Sequence, residues 1–293
     1  MRKKILSLID KKGNLPVFPD ILVRLQKVMD DPYAGMNDIA RIIELDPALA
    51  GRILHVSNSA FYHTGYDRID SLPTALNRLG MEKIRQLVFS IELTKLFSDS
   101  RLINPVQFWK HSLAVANFTR LLSRYAADMD PALENTAYLS GLMHDVGIMV
   151  MAYLIPAEYA RFLENLSQEE IPLEKQEERA FGIDHPEAGA RYIEKWWHLD
   201  AKIVNSVRYH HLPFMGSEND RRCEQLVHLA NGICTSHGQS NGIACYNPVF
   251  NPGAWEAMDL SLADAEKMME DVDVAVHRAM ELIGQKQSGN STG

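Results

Sequence analysis

Positive charge is what this chain is short of: 30 Lys and Arg stand against 38 Asp and Glu, for a formal net charge of -8. A broad nucleic-acid surface needs clustered cations to displace counterions, so that class of partner is not expected. A small anion held in a local pocket stays compatible with the balance. Cysteine is scarce too, and Cys223, Cys234 and Cys245 are spaced far from any CxxC pattern. They read as reduced thiols of a cytoplasmic protein. No apolar run approaches the length of a membrane span. The basic start Met1-Arg-Lys-Lys-Ile5 is not followed by the apolar region of a secretory signal. Sustained two-residue alternation with turn pairs, the mark of strands, is missing as well, which leaves an all-α reading.

What is present fits a soluble globular protein: 46% hydrophobic and 23% charged residues, in a 293-residue chain long enough for one large or two medium cores. Ile21, Leu22, Leu25, Val28 and Met29 recur at helical spacing, as do Ile39, Ile42 and Ile43. Asp46-Pro47 reads as N-cap and first helical residue, ahead of Leu49, Ile53 and Leu54. Ser71 can cap a helix through Leu79; Gly80 suits its left-handed end, and a new helix starts near Met81. Asn104-Pro105 repeats the cap-then-proline signal and opens a long helix to about Tyr125. His237 to Trp255 is rich in Gly, Asn and Pro and reads as a surface loop. An amphipathic helix follows over Leu262 to Ile283, then a polar tail. The expected organisation is a histidine-poor N-terminal lobe (1–100), a C-terminal lobe holding the histidines (101–283) and a disordered tail (284–293).

The chemistry centres on His144-Asp145, within Tyr138-Leu-Ser-Gly-Leu-Met-His-Asp-Val-Gly147. Such a pair can place an imidazole and a carboxylate on one metal, and the carboxylate can bridge to a second. His111 shares a helix face with Phe108, Val115, Phe118 and Leu122, so it points inward. His185 sits between Asp184 and Pro186 in a first helical turn. His210 and His211 lie at helical spacing from Ile203, Val204 and Val207. Any one of these histidines reads as a hydrogen-bonded core residue. Together they form a candidate site, because an Asp facing a core is costly unless paired or metal-bound. Imidazoles around a bridging carboxylate suit iron, manganese, zinc or nickel. Asn231, in line with Val227 and Cys234, also faces inward, but an amide oxygen brings no charge, so one ion is expected rather than two. His228, one turn earlier, reads as a solvated face or a replacement ligand. Arg52, His55, Asn58 and Ser59 form either a partner surface or a capped turn. The short unit around Gly80, with Arg78, Lys83 and Arg85, has the outline of a DNA-binding helix-turn-helix, against which the overall acidity argues.

The N-terminal half carries an ordered run of phrases: Leu15-Pro-Val-Phe-Pro19, Asp46-Pro-Ala-Leu49, Ile53-Leu-His-Val-Ser-Asn-Ser-Ala-Phe-Tyr62, Arg68-Ile-Asp-Ser71 and Ala75-Leu-Asn-Arg-Leu-Gly80. Over roughly residues 13 to 212 the chain resembles the HDOD family, helical modules of bacterial signalling and regulatory proteins related to HD phosphohydrolases. The resemblance implies a two-lobed all-helical fold, a cytoplasmic bacterial setting, and a partner protein or small nucleotide as ligand. Similarity to HD and HD-GYP enzymes assigns His111, His144, Asp145 and Asn231 to one metal position. It assigns Asp145, His185, His210 and His211 to a second, with Asp145 the catalytic residue of any active form. The chain departs from those enzymes in three places. Asn231 stands for the usual Asp, Ile148 stands where HD-GYP enzymes place Lys, and Leu212-Pro-Phe-Met-Gly216 replaces a Gly-Tyr-Pro signature. The expected function is regulatory, with a partly retained metal site and little hydrolysis. The alternative is a metal-dependent phosphohydrolase acting on nucleotides or cyclic dinucleotides.

Overall fold

A computed structural model describes residues 1–11, 15–29, 31–58, 69–97, 100–125, 131–166, 171–216, 221–243, 251–256 and 261–284. Among these residues every regular element is a helix. The chain opens on α1 (Arg2–Asp10), α2 (Asp20–Met29), α3 (Met36–Ile43), α4 (Pro47–Ser57), α5 (Leu72–Leu79) and α6 (Met81–Lys95). The long α7 (Pro105–Tyr125) leads to α8 (Pro131–Met143), α9 (Val146–Leu154), α10 (Pro156–Glu164), α11 (Leu173–Phe181), α12 (His185–Trp196) and α13 (Ala201–Tyr209). The last elements are α14 (Arg221–Ser236), the short α15 (Pro252–Glu256) and α16 (Leu262–Gly284). The polar tail from 285 lies outside the described residues.

The helices group into two compact units, one of Phe18–Leu96 with the end of α16 from Arg278, the other of Met1–Val17 with Phe97–His277. In the first unit the expected caps form. The Asp46 carboxylate accepts from Ala48 N and Leu49 N at 2.9 and 3.1 Å, and Ser71 accepts from Thr74 N. Gly80 has φ +80° and ψ 158°, a positive-φ conformation that favours glycine though not the left-handed helical one, and it ends α5 and starts α6. Asn58 settles as a turn residue. Its amide donates to Leu54 O and Ile69 O and accepts from Ile69 N, clasping the two ends of the segment between. Ser59, Phe61 and Tyr62 lie outside the described residues.

The first 17 residues do not belong to the N-terminal lobe: α1 packs on α9 and α12 of the second unit. Its stripe Ile5 and Ile9 is fully buried, Asp10 pairs with Arg191 and Lys195, and the Trp196 indole donates to Ile9 O. A nine-residue helix has little stability of its own and takes the partner that covers its apolar stripe. The loop expected over 237–255 contains α15 and a turn that reaches the site described below. Finally, Thr136–Leu154 is a stretch long and apolar enough to cross a membrane, but 89% of its 18-residue window is buried inside the protein. It is α8 and α9, apolar all round because neighbouring helices surround them.

Two glycine contacts set the geometry of the second unit. A Cβ on Gly141 of α8 would lie 2.8 Å from Ala116 Cα of α7. A Cβ on Gly147 of α9 would lie 1.8 Å from His185 O and 2.8 Å from Gly189 N of α12. At both places helix backbones touch, closer than any side chain permits. Gly147 lies inside α9 and acts through its missing side chain.

Candidate metal centre

His144 follows α8, and Asp145 is the N-cap position of α9. An N-cap aspartate ordinarily accepts from the first-turn amides. Asp145 makes no such bond, so its carboxylate turns into the protein. The α7–α8 contact at Gly141 brings His111 beside His144, and the α9–α12 contact at Gly147 brings His185 beside Asp145. His185 opens α12 behind the Asp184 cap, whose carboxylate accepts from Glu187 N at 3.0 Å. His210 and His211 follow the last turn of α13.

These side chains converge. Asp145 is 2% exposed, and His111, His144, His185 and His210 no more than 1%. The Nε2 atoms of His111 and His144 stand 3.5 and 3.3 Å from Asp145 Oδ2. Those of His185 and His210 stand 3.4 and 3.6 Å from Oδ1. His211 Nε2 lies 3.3 Å from His185 Nε2, and His111 Nε2 lies 3.2 Å from His144 Nε2. Two donor groups therefore share one carboxylate: Asp145, His185, His210 and His211 on one side, and His111, His144 and Asp145 on the other.

Hydrogen bonds on the far side of each ring fix the orientation. The Nδ1 atoms of His111, His144 and His210 face the carbonyl oxygens of Gln239, Gly141 and Val207, which can only accept. Each Nδ1 therefore carries the proton, and each Nε2 presents a lone pair to the centre. His185 Nδ1 instead meets the Glu177 carboxylate at 2.7 Å. Glu177 is fully buried; it also accepts from His185 N and from the Tyr159 hydroxyl, both at 2.7 Å.

The electrostatics follow from burial. Desolvation, with help from His144, lowers His111 to about 4, against the pull of Asp145. Desolvation likewise lowers His210 to about 4. His211 falls well below its ordinary value for the same reason, reinforced by His210. Burial also pushes His185 down, but the charges of Glu177 and Asp145 outweigh it and raise it well above its usual range. Burial would raise Asp145, yet the histidines, His144 foremost, hold it well below the carboxylate range. The centre is thus a buried anion ringed by mostly neutral imidazoles.

The donor set fits a transition ion. Around an ion with bonds of about 2.1 Å, neighbouring ligand atoms stand about 3.0–3.4 Å apart. The separations of 3.2–3.6 Å given above overlap the upper end of that spacing. His210 Nε2 is buried and has no hydrogen-bond partner, as a ligand nitrogen facing an ion position requires.

Six of the seven residues singled out in the sequence thus meet in one place. Asn231 is half-buried on α14, and the hydrogen bond of its side chain is a long one from Thr235 Oγ1, 3.4 Å. The amide that touches Asp145 is Asn241, whose Nδ2 donates to Oδ2 at 2.7 Å. His228 is neither solvated nor free to ligate, since Nδ1 donates to His210 O at 2.8 Å and Nε2 accepts from Asn251 N at 3.0 Å. The sequence reading missed Glu177, Gln239 and Asn241. A signal existed for Glu177 alone: it falls between Leu173 and Phe181 at i+4 and i+8, a carboxylate in the middle of a buried stripe.

Comparison with known proteins agrees with this architecture. The profile of the HDOD domain matches residues 15–213. An uncharacterized protein of Treponema pallidum (strain Nichols) is 26% identical over 205 residues, 70% of this chain. The chain spans only 39% of that curated relative's length. Among solved structures, an HDOD domain protein of unknown function from Geobacter sulfurreducens superposes with a TM-score of 0.76 at 24% identity, covering 97% of this chain and 98% of its own. A candidate signal transduction protein from Marinobacter aquaeolei VT8 gives 0.75 at 20% identity, over 97% of this chain and 65% of that one. A candidate phosphohydrolase from Shewanella amazonensis SB2B gives 0.70 at 19% identity, over 96% and 97%. At these identities the solved structures speak for the fold.

Proposed function

The chain belongs to the HDOD family, and from that premise we propose that it is a regulatory module that holds one transition-metal ion on Asp145 and its histidines and hydrolyses little or no phosphodiester. One observation carries the reading: the lone pairs of His111, His144 and His210 are turned by backbone carbonyls toward one buried carboxylate. A cluster serving only to fill a core has no need of a common orientation. Iron, manganese, zinc and nickel all suit this donor set.

A bound divalent ion would supply Lewis acidity and a water of lowered pKa. Turnover needs more, chiefly charge aimed at the phosphoryl oxygens as they become more negative. Ile148 is fully buried and apolar, and Asn231 is uncharged. The residues after His211, Leu212 and Phe214, are apolar and exposed. None of these offers a cation to a phosphate. The occupied centre then acts as a structural or sensing element, with a signalling protein or a small nucleotide as partner.

The retained histidines favour a second reading, a metal-dependent phosphohydrolase acting on nucleotides or cyclic dinucleotides. One experiment separates the two: metal content and hydrolysis of a cyclic dinucleotide, with iron(II) or manganese(II) added, for the unmodified protein and Asp145→Ala. The proposal expects metal in the former, none in the variant, and turnover at background in both. Brisk metal-dependent hydrolysis, lost in Asp145→Ala, would establish the enzyme and overturn the regulatory reading.

A further inference from the structure

We infer that Asn241 decides which side of Asp145 takes the ion. The inference rests on reading the cluster as a metal centre and adds the selection of one position within it. The two carboxylate oxygens differ. Oδ1 faces the nitrogens of His185 and His210, with His211 beyond, and no amide donates to it among the described contacts. Oδ2 faces His111 and His144 but already accepts the Asn241 amide at 2.7 Å.

The orientation of that amide is determined. Asn241 Oδ1 accepts from Ile243 N at 3.0 Å. Turning the amide over would set its oxygen against the Asp145 carboxylate and its NH2 against the Ile243 N–H. Neither pair can bond. Asn241 therefore holds a donor, not an acceptor, at Oδ2. The turn bearing it is anchored twice: Gln239 O accepts from His111, and the Gln239 side chain donates to Asp273 of α16 at 2.7 Å.

Two consequences follow. The Oδ2 side has three protein donors, one of which has a lone pair engaged by an amide proton. The Oδ1 side has four candidate donors, Asp145, His185, His210 and His211, and among the described contacts no amide holds that oxygen. Neither His111 nor His144 brings negative charge, and Asn241 adds none. A second divalent ion there would share the single charge of Asp145 with the first. Occupancy falls to the Oδ1 side.

The test is titration of the metal-free full chain with cobalt(II), whose visible absorption reports bound ions and their ligand number. The unmodified protein should bind one ion, lost in His210→Ala and kept in His111→Ala. Asn241→Asp replaces the donor with a carboxylate and should admit a second ion. Asn241→Ala frees Oδ2 without adding charge and should admit it about tenfold or more weakly, the scale of an outer-contact effect. The alanine variant keeps the test decisive if the buried aspartate prevents folding. Two ions of similar affinity in the unmodified protein would overturn the inference and leave the metal-centre reading standing. So would equal loss in His111→Ala and His210→Ala, or an Asn241→Ala protein still limited to one ion. No cobalt bound by the unmodified protein would sink both.

Discussion

Glu177 shows how much one side chain can organise at the scale of a residue. Its two oxygens accept from the Tyr159 hydroxyl, the His185 amide and His185 Nδ1, all in full burial. Glu177→Ala leaves three donors without a partner and should destabilise the protein by about 3–5 kcal/mol in urea unfolding, the range for breaking a buried pair. Glu177→Gln keeps the volume but loses the charge and one acceptor. It should weaken cobalt(II) binding about 10–100-fold while costing less stability than alanine. Cobalt affinity unchanged in Glu177→Gln would show that His185 does not need its carboxylate.

Glycine contacts and caps govern the element scale. Gly147→Ala must push α9 off α12, because the new methyl would meet His185 O. Asp145 is two residues from Gly147 and His185 carries the contacted carbonyl, so the substitution should separate them. Loss of metal together with a clear drop in stability is expected; normal metal content in a folded Gly147→Ala protein would refute the link. Asp46 offers a milder test. As N-cap of α4 it should contribute about 1 kcal/mol relative to alanine. Burial raises its pKa, but the Leu49 and Ala48 amides and Lys95 outweigh that and leave it lowered. A carboxyl with a depressed folded pKa stabilises fully above its unfolded value, near 3.9, and loses that contribution as pH falls through the lower folded value. The stability gap between the unmodified protein and Asp46→Asn should therefore shrink as pH falls from roughly 5 to 3. A gap that stays constant over that window would exclude the charge as its source.

At the scale of the whole molecule, the unit that carries the candidate centre can be followed alone. The 4 tryptophans of the chain, Trp109, Trp196, Trp197 and Trp255, all fall within Phe97–His277. Their fluorescence reports unfolding of that unit. An ion bound only by the native state stabilises it by about 2.7 kcal/mol at a hundred times its dissociation constant. For a unit of this size that corresponds to a rise of roughly 5–11 °C in Tm. A chelator should reverse the rise, and Asp145→Ala should abolish it. A fluorescence midpoint indifferent to cobalt(II), manganese(II) and chelator would contradict native-state binding.

Helices were legible in the sequence because their signals are local. Asp46-Pro47, Ser71 and Asn104-Pro105 act through amides two or three residues away, and periodicity marks a buried face whatever covers it. Six residues of the candidate site were legible for another reason: their identities and order resemble a known scaffold, and buried His and Asp demand partners. What the tertiary structure decided is everything set by distant neighbours. Whether α1 joins the early or the late helices depends on which surface covers Ile5 and Ile9. That Gly147 is a backbone contact depends on α12, some forty residues on. His228 looked exposed by type, yet α13 and the 251–256 segment bury it and occupy both nitrogens. Asn241 had no local mark at all, since an irregular turn carries no period and its partner Asp145 is 96 residues away. The sequence determined which groups could bind an ion; only the packing of α7, α8, α9, α12 and α13 decided that their lone pairs meet, because orientation is set by hydrogen bonds between residues far apart in the chain.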